Sequence, residues 1–374
     1  MNTCSVRRLS TSAVLAVAGL VAGLSSVAAA QPFAGTTPVA LDRWNYPFGD
    51  FGGARTSAPI FWTVGTSGFD DRDAEFLVGF NTTALVPAGQ PASSYNVTEL
   101  RVSASVFVAD ATQRFVYDGT HDTVETYYAD IDPSFIADSD AGRPIELFAC
   151  GYRPTSNVAG APLWSATTFL ENSPFASTGA NPPPARNNRN VFPVSYDASG
   201  TARNASNHVT GTAAEGGRFE AEPLSTGQTT LSQGALVEDG TVFTFTVDLT
   251  RPGALSYVQE GLASGRLNFI ISSLHPSSQP GTGGAPLVYP IFYTKENPFG
   301  TRAQLAITGS IGTTPACLAD VVADGSVDGG DFIAFINSFA IGDASIDPVA
   351  DVIVDGTIDG NDFIAFINAF AAGC

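Results

Sequence analysis

Leu100-Arg-Val-Ser-Ala-Ser-Val-Phe-Val108 carries an apolar side chain at positions 100, 102, 104, 106 and 108, with Arg101, Ser103 and Ser105 between the first four. Successive side chains of a strand point to opposite faces, so this alternation predicts a strand with one face in a core and the other toward water. The same period recurs at Phe76, Val78 and Phe80, and at Phe243, Phe245, Val247 and Leu249. Further strands are predicted at Tyr127-Tyr128, Ile145 to Ala149, Val191 to Tyr196, Leu267 to Ser272, Ile291 to Thr294 and Gln304 to Thr308, with Gly, Pro and Asn clusters between them. So many short strands are enough for two packed sheets, and residues 31–312 are therefore expected to form an all-β sandwich. One helix is expected, Leu255 to Ser264, closed by Gly265. Ser177 to Asn190 and Asp197 to Gly217 are too poor in apolar residues for a core and read as surface loops.

Composition agrees with a globular chain of this kind. Of 374 residues 44% are hydrophobic and 14% charged, with 38 Gly, 24 Pro and 26 Phe. The 17 Lys and Arg stand against 36 Asp and Glu, a net charge of −19, which excludes nucleic acid as a partner because phosphate recognition needs a basic footprint. At the start of the chain Arg7 and Arg8 precede an apolar run from Ala13 to Leu24, and Ala28, Ala29 and Ala30 supply small residues for cleavage. Residues 1–30 thus read as a secretory signal peptide, and the mature protein is expected to be secreted, extracellular or at the cell surface. The alternative, an uncleaved anchor, has against it a short run interrupted by Gly19 and Gly23. No later segment approaches the ~20 apolar residues of a spanning helix, so no transmembrane helix is expected after cleavage. Cys150, Cys317 and Cys374 then remain, an odd number, with Cys150 inside the apolar strand Ile145-Glu-Leu-Phe-Ala-Cys-Gly151, where it reads as a small buried thiol.

The C-terminal segment, residues 313–374, contains a duplication. Asp320-Val-Val-Ala-Asp-Gly-Ser-Val-Asp-Gly-Gly-Asp331, followed by Phe-Ile-Ala-Phe-Ile-Asn337, recurs 31 positions later as Asp351 to Asp362, followed by the same six residues ending at Asn368. Carboxylates occupy loop positions 1, 5, 9 and 12, namely Asp320, Asp324, Asp328 and Asp331, and then Asp351, Asp355, Asp359 and Asp362. Gly325 and Gly356 stand at position 6, where an EF-hand loop turns sharply, and Ser326 and Thr357 stand at position 7, where such loops use a backbone carbonyl. This spacing wraps oxygen ligands around one hard cation, for which calcium is the natural choice. Asp-Gly turns and Asp helix caps would account for single copies. From Thr313 to Cys374, however, there are ten Asp and no Lys, Arg or Glu, so without cations the carboxylates repel one another. Position 3 is Val322 in one loop and Ile353 in the other, which removes one side-chain ligand from each. After each loop an apolar helix face is expected, from Phe332, Phe335, Ile336 and Phe339, and from Phe363, Phe366, Ile367 and Phe370.

Two 12-residue calcium loops, each followed by one helix, resemble a type I dockerin module. The closing Gly373-Cys374 and the Asp-Phe-Ile-Ala-Phe blocks resemble the dockerin anchors ending in Gly-Cys found on secreted proteins of some bacteria. The resemblance implies that the eight Asp residues above, with Ser326 and Thr357, bind Ca2+, and that the module attaches to a cohesin-like or cell-envelope partner. It also implies that the two ends of the module lie close together, so that a Cys317–Cys374 disulfide would clasp it; a competing possibility makes Cys374 a processing or attachment point and leaves Cys317 free.

More loosely, the blocks Asp73 to Asn81, Pro87-Ala-Gly89, Thr98 to Val108, Val258 to Leu262, Leu267 to Ser272 and Phe292 to Glu296 resemble, in order, the DNRLRE-type jelly-roll domains of secreted bacterial proteins, which include polysaccharide-binding modules. The sandwich itself carries no His-Glu-x-x-His, Gly-x-Ser-x-Gly or phosphate loop, and His121, His208 and His275 are scattered and read as loop histidines, so no catalytic residue is assigned. Asp70, Asp71, Asp73 and Glu75 crowd one loop and suit either a structural calcium or a solvated turn. Trp44 and Tyr46, clustered with Phe48, Phe51 and Trp62, are candidate rings for stacking on sugar, set against their ordinary use as core filler. The expected function is a non-catalytic secreted or cell-surface protein that binds polysaccharide. The alternatives are a polysaccharide-degrading enzyme carrying a dockerin and a structural envelope protein.

Overall fold

The computed structural model describes residues 30–46, 55–62, 70–152, 191–211, 217–277, 288–312, 319–322, 326–344, 346–353 and 356–372. The signal-like segment before residue 30, the loop Ser177 to Asn190, Phe48, Phe51, Cys317, Asp324, Asp355 and Cys374 lie outside them. The strands are β1 (Gln31–Pro38), β2 (Leu41–Asn45), β3 (Ser57–Pro59), β4 (Phe61–Trp62), β5 (Arg72–Asn81), β6 (Tyr95–Ser105), β7 (Ile145–Tyr152), β8 (Val191–Tyr196), β9 (Ala202–Asn204), β10 (Ser225–Thr226), β11 (Val242–Thr246), β12 (Arg266–Ser273), β13 (Ile291–Tyr293) and β14 (Gln304–Ile311). The helices are α1 (Ala254–Ala263), α2 (Gly329–Ile341) and α3 (Gly360–Ala372).

The strands pair antiparallel in a four-stranded sheet, β1-β14-β6-β11, and a larger one, β2-β5-β12-β7-β8-β9, with β10 added on β7 and β4 on β5; β13 and β3 form a separate pair. Period-two patterning explains what lies between the two main sheets. Leu100, Val102 and Ala104 of β6, Phe243 and Phe245 of β11 and Leu305 and Ile307 of β14 share one continuous core with Phe76, Val78 and Phe80 of β5, Leu267, Phe269 and Ile271 of β12 and Leu147 and Ala149 of β7. The β6 alternation runs past Ser105, where its partner changes: Val106 bridges Phe292, and Phe107 N–H donates to Ile291 O. Helix α1 closes the core with Tyr257, Val258 and Leu262, and its Tyr257 hydroxyl donates to Asn268 O and accepts from Cys150 N–H, tying helix to sheet.

The larger sheet is buried on its second face as well. Leu41, Leu77, Phe148, Cys150, Val191 and Ile270 form another apolar layer there with Ala205 and Ala221. Cys150 is a buried free thiol, as its apolar strand suggests. A sheet covered on both faces needs runs of buried residues rather than alternation. It also needs a cover, and here the Asp197–Gly217 stretch departs from expectation: Ala205, Ser206, Asn207, His208 and Val209 are buried. The second departure is at Tyr127-Tyr128, where a short 3-10 helix, Val124–Tyr127, replaces the expected strand. Its Tyr127 ring packs edge-on against Trp62 at 5.8 Å and its hydroxyl donates to Asp122, so the aromatic pair anchors a loop.

Helices α2 and α3 have an apolar cluster of their own, with Ala319, Phe335, Ala350, Val352 and Phe366 buried. The duplicated sequence packs as a two-fold pair. Phe335 and Phe366, equivalent in the two copies, stack at 4.0 Å with planes 1° apart. Phe332 to Phe366 and Phe335 to Phe363 are both 6.2 Å, and Phe332 to Phe370 and Phe339 to Phe363 are 5.8 and 5.7 Å. Among the described residues no helix is long and apolar enough to cross a membrane.

Candidate metal loops and the charged layer of the sandwich

Each acidic loop ends by starting a helix, and one Asp serves both. Asp328 caps α2 by accepting Gly330 N–H at 2.7 Å, while Asp331 reaches back to accept Asp328 N–H at 3.0 Å, a reciprocal capping box. The second copy repeats this: Asp359 accepts Asn361 N–H at 2.7 Å, and Asp362 accepts Asp359 N–H at 2.9 Å. The other oxygen of each position-12 carboxylate accepts the N–H of position 3, Val322 at 3.0 Å and Ile353 at 3.1 Å. Position 3 thus acts through its backbone while its apolar side chain is exposed. Asp331 and Asp362 are fully buried. Burial alone would raise the Asp331 pKa, but the N–H donors of Asp328 and Val322 outweigh it and hold the carboxyl below its usual value. At the head of the second loop Asp351 accepts Gly356 N–H at 2.9 Å, and Gly356 has φ +85°, the left-handed turn that position 6 requires.

Positions 1, 7, 9 and 12 are described in both loops, whereas position 5, Asp324 and Asp355, is not. Among the described residues, no three carboxylates of either loop bring an oxygen each within 4.8 Å of one another. What the structure brings together is position 12 with positions 3 and 9 and, in the second loop, position 1 with position 6. An oxygen that accepts an N–H keeps a second lone pair, so these bonds do not use up the acceptor capacity of the carboxylates. No Lys, Arg or His stands in either loop to neutralise it.

The sandwich places its acidic residues differently. Asp71 accepts Val209 N–H, Thr210 N–H and the Thr210 hydroxyl at 2.8 to 2.9 Å, and Asp70 accepts Asn207 Nδ2 at 2.8 Å. These two carboxylates pin the 205–210 segment over the sheet. Behind them Arg72 Nη2 meets Glu146 Oε2 at 2.6 Å, with both side chains almost wholly buried, and the guanidinium lies 4.5 Å over the Phe148 ring. His121 bridges Glu146 Oε1 at 2.7 Å and Glu220 Oε1 at 2.9 Å. Burial would lower its pKa, yet the hydrogen bonds and charges of the two Glu carry it up to about 10. For Glu146 burial works upward, and Arg72 with His121 overcomes it, bringing the carboxyl down to about 2. His208 and His275 are buried with pKa values pushed down to about 3, chiefly by burial, so all three histidines do more than decorate loops.

Trp44 and Tyr46 stack on each other at 4.5 Å, 7° apart, and the Arg55 guanidinium lies 4.8 Å over the Trp44 ring. Tyr46 meets Phe61 edge-on at 5.7 Å, and Phe61 meets Tyr289 at 4.8 Å. Trp44 therefore has two planar partners, and Trp44, Tyr46 and Tyr289 are half-buried around the buried Phe61. Sequence reading missed the charged layer. Glu146, alone in an apolar strand, was its visible signal; Arg72 and His121 lie 74 and 25 residues away from it in the chain. No family model, curated protein or solved structure matches this chain.

Proposed function

We propose that this is an exported, non-catalytic protein in which a jelly-roll-like sandwich is held at a surface by a calcium-loaded, dockerin-like module and binds polysaccharide. The observation that carries this reading is the repeated geometry of Asp331 and Asp362: each buried carboxylate closes its loop on positions 3 and 9 and opens a helix, and the helices pair through equivalent Phe residues. Asp320, Asp324, Ser326, Asp328 and Asp331 hold one Ca2+, and Asp351, Asp355, Thr357, Asp359 and Asp362 the other. The ions neutralise the acidic segment, so that helix pairing, and with it the surface offered to a cohesin-like or envelope partner, follows calcium. Far-UV circular dichroism of the full chain through a chelator titration tests the module: helical signal falls in chelator and returns with calcium, and an unchanged spectrum refutes it.

For the sandwich, the aromatic cluster of Tyr46 and Tyr289 beside Trp44 supports stacking on sugar rings. Affinity electrophoresis against soluble polysaccharides gives retardation that Tyr46→Ala abolishes, with no new reducing ends. New reducing ends would make the domain an enzyme, and no retardation would leave a structural envelope protein.

A further inference from the structure

Away from the repeat, the loops above the outer face of the larger sheet gather three carboxylates. Asp118, Asp122 and Asp140 each offer an oxygen within 4.8 Å of the other two. Asp118 and Asp122 are buried and Asp140 is at the exposed rim. Acidic side chains meet on many surfaces, but here the hydrogen bonding is lopsided. Asp118 Oδ1 accepts three donors, Thr120 N–H at 2.9 Å, the Thr120 hydroxyl at 2.7 Å and Gln233 Nε2 at 2.8 Å. Its Oδ2 is buried and has no donor at all. A buried anionic oxygen left unmatched is costly, so natural structures pair it with something.

The neighbours too are bonded through one oxygen only. Asp122 Oδ2 takes Arg143 Nη1 at 2.9 Å and Tyr127 OH at 3.1 Å, and Asp140 Oδ2 takes Gln233 Nε2 at 3.2 Å; their Oδ1 atoms receive no hydrogen bond from the described residues. The Thr120 hydroxyl lies 2.7 Å from Asp118 Oδ1 and 2.9 Å from Asp140 Oδ2, yet it has one proton to give. Asp138, bonded to Arg143 at 3.0 Å, makes a fourth carboxylate against that single guanidinium.

We propose that Asp118, Asp122 and Asp140 bind one hard divalent cation, calcium, each through a carboxylate oxygen, and that the ion ties the 118–122 loop to the 138–143 loop. An all-oxygen donor set on loops, with three carboxylates, suits calcium better than the small rigid octahedron magnesium demands. The site is separate from the duplicated loops and stands whether or not those bind metal.

Calcium binding to the full chain tests it, by equilibrium dialysis across free calcium up to ~10 mM, above the ~0.1–1 mM range of weak extracellular sites. The parent carries Asp331→Asn and Asp362→Asn, which disable the duplicated loops; its comparison also carries Asp140→Asn, an exposed position whose loss leaves the fold intact. The expected result is one equivalent more in the parent than in the comparison, together with a calcium-induced rise in the tryptophan-detected melting temperature that only the parent shows. Equal stoichiometry in the two chains, or no binding by the parent, would overturn the proposal. Failure of the duplicated loops to bind would appear instead as no change on introducing Asp331→Asn and Asp362→Asn into the wild type.

Discussion

Glu146→Gln should be among the most damaging conservative changes in the sandwich. Glu146 gives one oxygen to Arg72 at 2.6 Å and the other to His121 at 2.7 Å, and the Arg72 and Glu146 side chains are 1% and 2% exposed. Gln preserves volume but removes the charge and turns one end from acceptor to donor, facing either the guanidinium or the imidazolium. With the amide facing Arg72, the guanidinium would keep only Ser272 Oγ, at 3.4 Å, as a hydrogen-bond acceptor. Removing one member of a buried pair costs about 3–5 kcal/mol, because the other charge stays buried. At ~2–4 °C per kcal/mol for a domain of this size, the melting temperature should fall by about 10 °C. Trp44, Trp62 and Trp164 all precede the duplicated segment, so tryptophan fluorescence in urea follows the sandwich alone. Arg72→Met keeps a long side chain over Phe148, and the double variant Arg72→Met/Glu146→Gln should lose clearly less than the sum of the two single changes. A loss below ~1 kcal/mol for Glu146→Gln, or strict additivity in the cycle, would show that the pair does not carry the charged layer.

The His121 bridge gives a pH signature. Its folded pKa, about 10, exceeds the ordinary 6.5, so its contribution is complete below pH 6.5 and is lost as pH rises through about 10; the stability gap between wild type and His121→Gln should narrow over that window in urea titrations. Glu146 acts in the opposite sense, present above its ordinary 4.5 and lost toward about 2, so acid unfolding of wild type should be shifted relative to Glu146→Gln. Gly253→Ala combines φ +77° with a Cβ only 2.2 Å from Tyr196 Cδ1 and should cost at least ~2 kcal/mol, whereas Gly240→Ala, at φ +75° with nothing within 4 Å, should cost ~1 kcal/mol; equal urea midpoints would remove the steric argument. Phe366→Ala removes the ring stacked at 4.0 Å on Phe335, worth about 3–5 kcal/mol, and should abolish the calcium-dependent helical signal while sparing tryptophan fluorescence.

Where the chain alternates with one face wet, sequence and structure agree closely: β6, β11 and β14 lie where period two puts them, and α1 ends at the expected glycine boundary. The larger sheet was harder to read because it is covered on both sides. β2 (Leu41-Asp-Arg-Trp-Asn45) is buried at four of its five positions, mixing apolar and charged residues with no period, and only its tertiary partners make it a strand. The same double burial turned the polar 205–209 stretch into a cover, since Asp71 satisfies two of its neighbouring backbone N–H groups from 138 and 139 residues away. Asp118, Asp122 and Asp140 likewise carry no local pattern, because what sets them apart is which oxygens lack donors. The duplicated loops are the opposite case: the Asp caps and the turn at Gly356 lie within 12 residues and follow from spacing, whereas of the expected apolar faces Phe335 and Phe366 are buried and Phe332, Ile336 and Phe363 are exposed.

Hydrogen exchange of the full chain, with and without a calcium chelator, bears most directly on whether cations fold the duplicated segment. Calcium-dependent folding requires that amides of Phe332–Ile341 and Phe363–Ala372 lose protection together in chelator, while those of β6 in the sandwich keep theirs. Equal protection of both helices in the two conditions would contradict it.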